Sequence, residues 1–120
     1  MILEQVTMSL SKAGVVTTTV KKIPRLVFLW RSIGLAIHKE INEINKSMWI
    51  ISHFNSGRSV VKYIKTKERA INCLYRLYEI LPDWTFTEEE WDIQADETKK
   101  ELKDAIDRVQ QQILEGKIWV

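Results

Sequence analysis

The segment from Met48 to Pro82 constrains the fold more than any other part of the chain. Two runs within it, Met48–Phe54 and Ser59–Lys65, are rich in the β-branched and aromatic residues that favour strands. The four residues between them, Asn-Ser-Gly-Arg, include types that tolerate a positive φ. The pattern therefore predicts a β-hairpin that is followed by an amphipathic helix.

The register of this hairpin follows if the turn is centred on Ser56-Gly57. One face then carries the pairs Trp49–Ile64, Ile51–Lys62 and His53–Val60, and the other carries Ile50–Tyr63, Ser52–Val61 and Phe54–Ser59. Successive residues of a strand point to opposite faces of the sheet. Because both faces are largely apolar, we expect a central hairpin whose faces are each covered or used for binding.

The helix is predicted over Lys67–Leu81. Thr66 can cap its first turn, because a threonine hydroxyl accepts a hydrogen bond from a free backbone N–H. Apolar residues recur at helical spacing and form one stripe: Ala70, Leu74, Leu77, Tyr78 and Leu81. Pro82 ends the helix, because proline cannot continue the backbone hydrogen bonding. The single cysteine, Cys73, lies beside the stripe, which favours a small core residue over a nucleophile.

The first 47 residues predict further strands. Alternating residues favour a β-hairpin over Glu4–Val20, with a short N-terminal helix as the competing interpretation. Lys21–Pro24 interrupts the pattern, and two more short apolar runs, Leu26–Trp30 and Gly34–Ile41, have the length of strands. Asn42–Ser47 is polar and predicts a loop. We therefore expect an antiparallel sheet of four to six strands.

A second helix is predicted to begin after Thr87. Glu90 stands three residues beyond this N-cap, which is the spacing of a capping box. Phe86 before the cap and Trp91 beyond it have the spacing of a hydrophobic staple. The glutamates of the first turn also favour a helix N-terminus, because the helix dipole is positive there.

The predicted C-terminal helix is long and runs over Glu88–Glu115, with Gly116 as its stop. At about 28 residues it would extend roughly 40 Å, against a radius of gyration near 14 Å for a globule of this size. Such a helix lies across the whole domain, breaks near Asp96, or projects and pairs with another copy. Its narrow apolar seam between charged flanks favours a homodimer.

Together these elements predict a single α+β domain over residues 1–120. Residues 1–66 are strand-rich and basic, with ten basic and three acidic residues and a net charge of +7. Residues 67–120 are helical and acidic, with eight basic and thirteen acidic residues and a net charge of −5. No apolar run has the length of a membrane span, and the first residues lack a signal-peptide pattern. With one cysteine, these features predict a cytoplasmic protein without a membrane partner.

No sequence motif indicates catalysis. Walker, GxGxxG, HExxH and GxSxG patterns are all missing from the sequence. His38 and His53 lie on neighbouring predicted strands, but no Cys, Asp or Glu stands at metal-ligand spacing from them. The acidic run Glu88–Glu90 is explained by the capping box. We therefore expect no enzyme activity, no cofactor and no metal.

The basic half does contain a combination typical of single-stranded nucleic-acid binding. Bases stack on aromatic rings, while lysine and arginine follow the phosphates. The candidate binding residues are Arg25, Trp30, Arg31, Lys39, Trp49, Arg58, Lys62 and Tyr63. The order of elements, strands followed by a helix, also resembles the Whirly type of single-stranded-DNA-binding fold, at the level of the fold alone.

An alternative is a regulatory protein-interaction module or inhibitor that acts through its acidic C-terminal helix. Its acidic residues would then imitate the phosphates of a nucleic acid and bind another protein: Asp92, Asp96, Glu97, Glu101, Asp104 and Asp107. The two hypotheses differ in salt dependence, because only a nucleic-acid binder shows affinity for oligonucleotides that falls steeply with salt.

Overall fold

The computed structural model describes residues 1–13, 20–40, 47–93 and 99–120. For residues 11–13, 20–22, 91–93 and 99–103 it describes the backbone but not the side chains. This part of the chain forms β1 (Glu4–Ala13), β2 (Val20–Trp30), β3 (Leu35–Lys39), β4 (Trp49–His53), β5 (Ser59–Ile64), α1 (Lys67–Ile80), α2 (Glu88–Ile93) and α3 (Lys99–Leu114). The α+β prediction is thus confirmed.

The strands form one antiparallel sheet in the order β1-β2-β3-β4-β5. Five strands agree with the prediction of four to six. β1 and β2 pair along their whole lengths, from Glu4 opposite Leu29 to Ala13 opposite Val20. β3 pairs with only the last three residues of β2, Phe28–Trp30. The rest of the β1–β2 hairpin therefore extends beyond the central strands.

The predicted N-terminal hairpin over Glu4–Val20 is wrong. The partner of β1 is β2, which begins where that hairpin was predicted to end, and Pro24 lies inside β2, opposite Ser9. Proline is tolerated there because this part of β2 pairs only with β1 among the described strands. Its missing N–H can therefore face the unpaired side. The connection over residues 14–19 lies outside the described residues, as does the predicted loop Asn42–Ser47 except for its last residue.

The register of the central hairpin is confirmed only at its open end. Trp49 lies opposite Ile64 as predicted, but Ile51 lies opposite Val61 and not opposite Lys62. From Trp49 to Ile51 the chain advances two residues on β4 and three on β5, so β5 contains a bulge. A second extra residue, Val60, lies on β5 between Val61, which is paired with Ile51, and Ser59, which is paired with Ser52, so the predicted His53–Val60 pair is also wrong.

α1 covers one face of the sheet, here called the helical face. Ala70, Cys73, Leu74 and Leu77 are buried against side chains of β3, β4 and β5. The predicted cap is confirmed, because the Thr66 hydroxyl accepts a hydrogen bond of 3.1 Å from the backbone N–H of Arg69. Cys73 is a core residue as predicted, and its burial raises the pKa of the thiol to about 12.

The opposite face of the sheet is covered by the β1–β2 hairpin itself. Met8, Leu10, Val27 and Leu29 form a second apolar cluster with Ala36 of β3. Leu10 also lines a small cavity with side chains of β3 and β4. The long hairpin therefore folds back over this face, which explains why both faces of the central strands are apolar.

The long C-terminal helix is a wrong prediction. α2 has six residues, and the C-terminal helix α3 has sixteen, not about 28. The molecule measures 35 × 34 × 27 Å, which is less than the roughly 40 Å that a continuous helix of that length would need. Ala105 and Val109 of α3 are buried in the core of the molecule, so α3 packs within the globule. Residues 94–98 lie outside the described residues.

Both ends predicted for the helical region are confirmed. The backbone N–H of Glu90 donates to the Thr87 hydroxyl at 3.1 Å, and the Glu90 carboxylate accepts from the Thr87 N–H at 3.4 Å. Gly116 adopts a φ of 75° after α3, and its N–H donates to the carbonyl of Ile113. The predicted Phe86–Trp91 staple lies outside the described residues, because the Trp91 side chain is excepted.

The connection between α1 and α2 is anchored by Trp84, a fully buried side chain. Its backbone N–H donates to the carbonyl of Ile33 at 2.8 Å, and its indole N–H donates to the carbonyl of Leu81 at 2.7 Å. Asn55 of the β4–β5 turn donates its amide to the Thr85 carbonyl at 2.7 Å. Three connections of the fold therefore meet at one end of the sheet.

Gly34 is required at this meeting point. Its φ is +86°, and a Cβ atom built on it would lie 2.5 Å from the Trp84 carbonyl oxygen. We predict that Gly34→Ala lowers the free energy of unfolding by roughly 2–4 kcal/mol. The backbone strain of a positive φ and the steric overlap of the new Cβ with the Trp84 carbonyl both contribute to this loss. Gly116→Ala is the matched control: its φ is +75° but nothing lies within 4 Å, so about 1 kcal/mol is expected. Urea unfolding measures the free energy of unfolding of both variants. Equal losses in the two variants would contradict the close approach of the Trp84 carbonyl to Gly34.

His53 is buried in the same region. Its ring stacks on Phe86 with centroids 4.4 Å apart, and its Nδ1 lies 2.7 Å from the Ser56 hydroxyl. The pKa of His53 is lowered to about 4: burial is the largest cause and Arg58 acts in the same direction, while the Trp84 and Phe86 carbonyls and Glu88 act to raise it. The folded protein therefore keeps this imidazole neutral at pH values where the unfolded chain, with a histidine pKa near 6.5, binds a proton.

We predict that stability falls as the pH is lowered through the interval between 6.5 and 4. The unfolded state binds more protons there, so the free energy of unfolding drops by about 2 kcal/mol from pH 7 to pH 5. Urea unfolding of wild type, His53→Asn and His38→Asn at both pH values tests this. The drop should shrink greatly in His53→Asn and by a smaller amount in His38→Asn, because burial also lowers the pKa of His38. An unchanged drop in His53→Asn would contradict the assignment.

Candidate nucleic-acid interface

The structure brings only some of the eight predicted binding residues together. Trp30, Lys39 and Trp49 lie on the helical face, on β2, β3 and β4. Arg58, Lys62 and Tyr63 lie in or beside β5, at the edge of the sheet. Arg25 is opposite Met8, which places it on the face covered by the hairpin. Arg31 follows β2. The predicted binding residues of the basic half are thus divided among several surfaces.

One aromatic group is formed by side chains of β2 and β4, the strands on either side of β3, next to the start of α1. The rings of Phe28 and Trp49 have centroids 6.5 Å apart. The Lys39 ammonium lies 5.7 Å from the centroid of Trp49, and the Lys67 ammonium lies 3.7 Å from that of Phe28. Each ring is therefore accompanied by a cation at a distance typical of cation–π contacts.

A second aromatic group lies at the end of β2. Trp30 contacts Tyr75 of α1 in an edge-on arrangement with centroids 5.7 Å apart, and it contacts Tyr78 with centroids 5.5 Å apart. Tyr75 is 43% exposed and Tyr78 is 42% exposed, so the group reaches the surface. The stripe prediction is therefore wrong at Tyr78, which lies on the exposed flank of α1.

These two groups form one surface, here called the aromatic rim: Phe28, Trp30, Lys39, Trp49, Lys67, Tyr75 and Tyr78. Phe28 and Trp30 are two residues apart on β2, so they share a face at a spacing of about 6.6 Å. On α1, Lys67, Tyr75 and Tyr78 share one side of the helix. The rim follows the line where α1 lies beside β2.

The rim is open because the helical face of β1 and β2 extends beyond α1. Leu26, in register with Thr7 of β1, is 59% exposed. Gln5 and Thr7 are exposed on β1, opposite Phe28 and Leu26. Amide and hydroxyl side chains therefore adjoin the aromatic rings.

Four members of the rim were missed from the sequence: Phe28, Lys67, Tyr75 and Tyr78. The signal for the helical members was present, because positions 67, 71, 75 and 78 recur at steps of four, four and three. Periodicity locates a second stripe of this kind, but it does not identify the strand beside which the stripe will lie.

Arg31 does not act as an isolated cation. Its guanidinium donates to both Glu4 carboxylate oxygens, at 3.0 and 3.2 Å. Hydrogen bonds from Arg31 lower the pKa of the Glu4 carboxyl, and Glu4 raises the pKa of Arg31. Arg76 is similarly paired with Glu79 at 3.2 Å. Among the described residues, Lys39 and Lys67 are therefore the cations that meet the aromatic rings of the rim.

His38 has the geometry of a base beside a hydroxyl. Its Nε2 lies 2.8 Å from the Ser52 Oγ, and its Nδ1 lies 2.7 Å from the Lys39 carbonyl, so Nδ1 donates and Nε2 accepts. Burial lowers the pKa of His38 and favours the neutral ring. Both side chains are buried, and the adjoining cavity of about 30 Å³ holds one water at most. The hydrogen bond between His38 and Ser52 therefore serves to pair two buried polar side chains.

In residues 1–13, 20–40, 47–93 and 99–120, no group of three or more His, Cys, Asp or Glu side chains is arranged to hold a metal ion. The helices described in these ranges are too short or too polar to cross a membrane. No protein-family model, no curated protein and no solved structure matches this chain.

Proposed function

We propose that this protein is a small non-enzymatic module that binds single-stranded nucleic acid along the aromatic rim. The observation that carries the proposal is the row of partly exposed rings beside Lys39 and Lys67. Single strands are bound by this combination, because every base offers a face for stacking and every nucleotide offers a phosphate.

The arrangement on the sheet supports the same ligand. Aromatic residues on the open face of an antiparallel sheet stack two or three unpaired bases in known RNA-binding modules. Here Phe28 and Trp30 point to the same face of β2, and Tyr75 and Tyr78 border it. The exposed Gln5 and Thr7 offer hydrogen bonds to base edges or sugars.

The charge of the rim implies modest affinity. Two lysines correspond to few phosphate contacts, so we expect affinity to depend only weakly on salt. In a plot of the logarithm of the binding constant against the logarithm of the salt concentration, each contact to a single strand contributes a slope of about −0.7. The acidic residues of α3 keep the net charge of the chain at +2, which limits indiscriminate binding.

Titration of a labelled mixed-sequence oligonucleotide at low and moderate salt tests the proposal. Tyr75→Ala and Tyr78→Ala should each weaken binding by about 1–3 kcal/mol, because each removes a stacking surface. Lys67→Ala should weaken binding and reduce the salt slope by about 0.7. These side chains lie at the surface, and thermal unfolding checks that the variants remain folded.

Lys62→Ala is the matched control, since Lys62 is an exposed lysine of the basic half that lies outside the rim. Its affinity for the oligonucleotide should equal that of wild type. Absence of binding by wild type at low salt, or an equal loss in Lys62→Ala and Lys67→Ala, would contradict a site at the rim.

A protein-interaction module that acts through the C-terminal helix is the second candidate. It is favoured by two exposed apolar side chains, Leu114 at 83% and Trp119 at 70%, and by the exposed acidic residues Asp104 and Asp107 of α3. The predicted seam residues Ala105 and Val109 are buried within the molecule, so a homodimer would use this outer surface. The dimer and the cytoplasmic location stay predictions.

A further inference from the structure

β1 is an edge strand of the sheet, with β2 as its pairing partner. The pairing keeps one register over ten residues, from Glu4 to Ala13, and β1 contains neither a bulge nor a proline. The side chains of Gln5, Thr7 and Ser9 are exposed. Within the part of the chain that the structure describes, no backbone group outside the β1–β2 pair bonds to β1. A long and regular strand edge of this kind is a template for a further strand.

The hydrogen bonds of β2 show which backbone groups of β1 point to this open edge. The Trp30 carbonyl accepts a hydrogen bond of 2.9 Å from the backbone of the turn to β3, so the backbone groups of Trp30 point away from β1. The direction alternates along a strand, so Pro24, which has no N–H, also points away from β1. Its partner on β1 is Ser9. The backbone groups of Ser9, and by alternation those of Gln5 and Thr7, therefore point to the open edge.

The sequence of β1 is complementary to itself when two copies run antiparallel about Met8. Val6 then lies opposite Leu10 of the second copy, and Met8 lies opposite its own counterpart. Thr7 lies opposite Ser9 of the second copy, and their outward backbone groups face each other. Apolar residues therefore meet on one face and hydroxyl residues on the other, which are favourable cross-strand pairs.

The charged residues of β1 select the same register. In the pairing about Met8, Glu4 lies opposite position 12 of the second copy, which is a lysine. A shift by two residues in one direction would place Glu4 opposite Leu10, and a shift in the other direction would place Val6 opposite Lys12. Each shift would oppose a charge to an apolar side chain, so the pairing about Met8 is the favoured one.

Other charges of the same chain reduce the net attraction at this edge. They lie on β2, after β2, or beside the cavity that Leu10 lines: Lys21, Lys22, Arg25, Arg31, Glu40 and Lys62. Arg31 already donates to both Glu4 carboxylate oxygens, so Glu4 would be shared with the lysine of the second copy. Because basic residues outnumber acidic ones here, charge selects the register, while backbone hydrogen bonds supply the affinity.

We propose that a second copy of this chain binds at the β1 edge, so that the two five-stranded sheets join edge to edge. The interface is isologous, because each copy contributes the same residues. The four pairs of outward residues would each exchange two hydrogen bonds, which gives about eight in total. The contact is smaller than a standard interface, so we expect a weak dimer that forms as the concentration rises. The proposal is independent of the aromatic rim.

Sedimentation velocity without nucleic acid, between about 10 and about 300 micromolar protein in about 0.15 M salt, tests the dimer. Thr7→Pro should raise its dissociation constant about tenfold or more, because it removes an outward N–H from each copy. The fold should persist, since this N–H makes no bond to β2, and thermal unfolding checks this. Thr7→Ala is the matched control, because it loses the same side chain but keeps the N–H, and its dimer should be close to that of wild type.

Amide hydrogen exchange of wild type gives a readout that needs no variant. The outward amides of Thr7 and Ser9 should exchange more slowly at high protein concentration than at low concentration. The amides of Val6 and Met8, which point to β2, should be protected at both concentrations.

Three results would overturn the proposal. They are a wild type that stays monomeric at the highest concentration, exchange at Thr7 and Ser9 that does not change with concentration, and equal dimerisation by Thr7→Pro and Thr7→Ala. Leu114→Ala, on the exposed outer surface of α3, should dimerise as wild type does. A dimer lost in Leu114→Ala and kept in Thr7→Pro would place the interface on α3 instead.

Discussion

The close approach of Trp84 to Gly34 is the contact on which the arrangement of sheet and helices depends. The turn between β2 and β3 can accept the Trp84 carbonyl only because position 34 lacks a side chain. The same connection receives the Asn55 amide from the β4–β5 turn and stacks Phe86 on His53. Polar groups that would be costly to bury alone are thereby paired. The end of α1 is held against the sheet as a result.

That anchoring determines which surface stays open. α1 lies over β3, β4 and β5, and α3 packs beside α1, so the helical face of β1 and β2 extends beyond the helices. Aromatic residues at this boundary are half-buried: one part of each ring contacts the core, and the other part faces solvent. Rings in that position can stack on a ligand without unfolding the domain, which is why the rim is the surface proposed for nucleic acid.

The composition of the rim limits the kind of ligand that it is proposed to bind. The rim offers flat rings with few cations, so its ligand is expected to be a stacked, sequence-tolerant single strand. Because Lys62 lies outside the rim and Lys67 belongs to it, substitutions at these two lysines separate binding at the rim from general attraction to the basic half.

The sequence by itself determined the elements whose signals are local: the strands of the central hairpin, α1 with its Thr66 cap, the Thr87–Glu90 capping box and the stop at Gly116. It also selected Trp30, Lys39 and Trp49, which lie on one face of the sheet. Only the tertiary structure decided the partner of β1, the bulges of β5 and the short length of α3, as well as which charges lie together. These depend on contacts between residues far apart in the chain, and the same apolar pattern is compatible with several pairings until packing selects one.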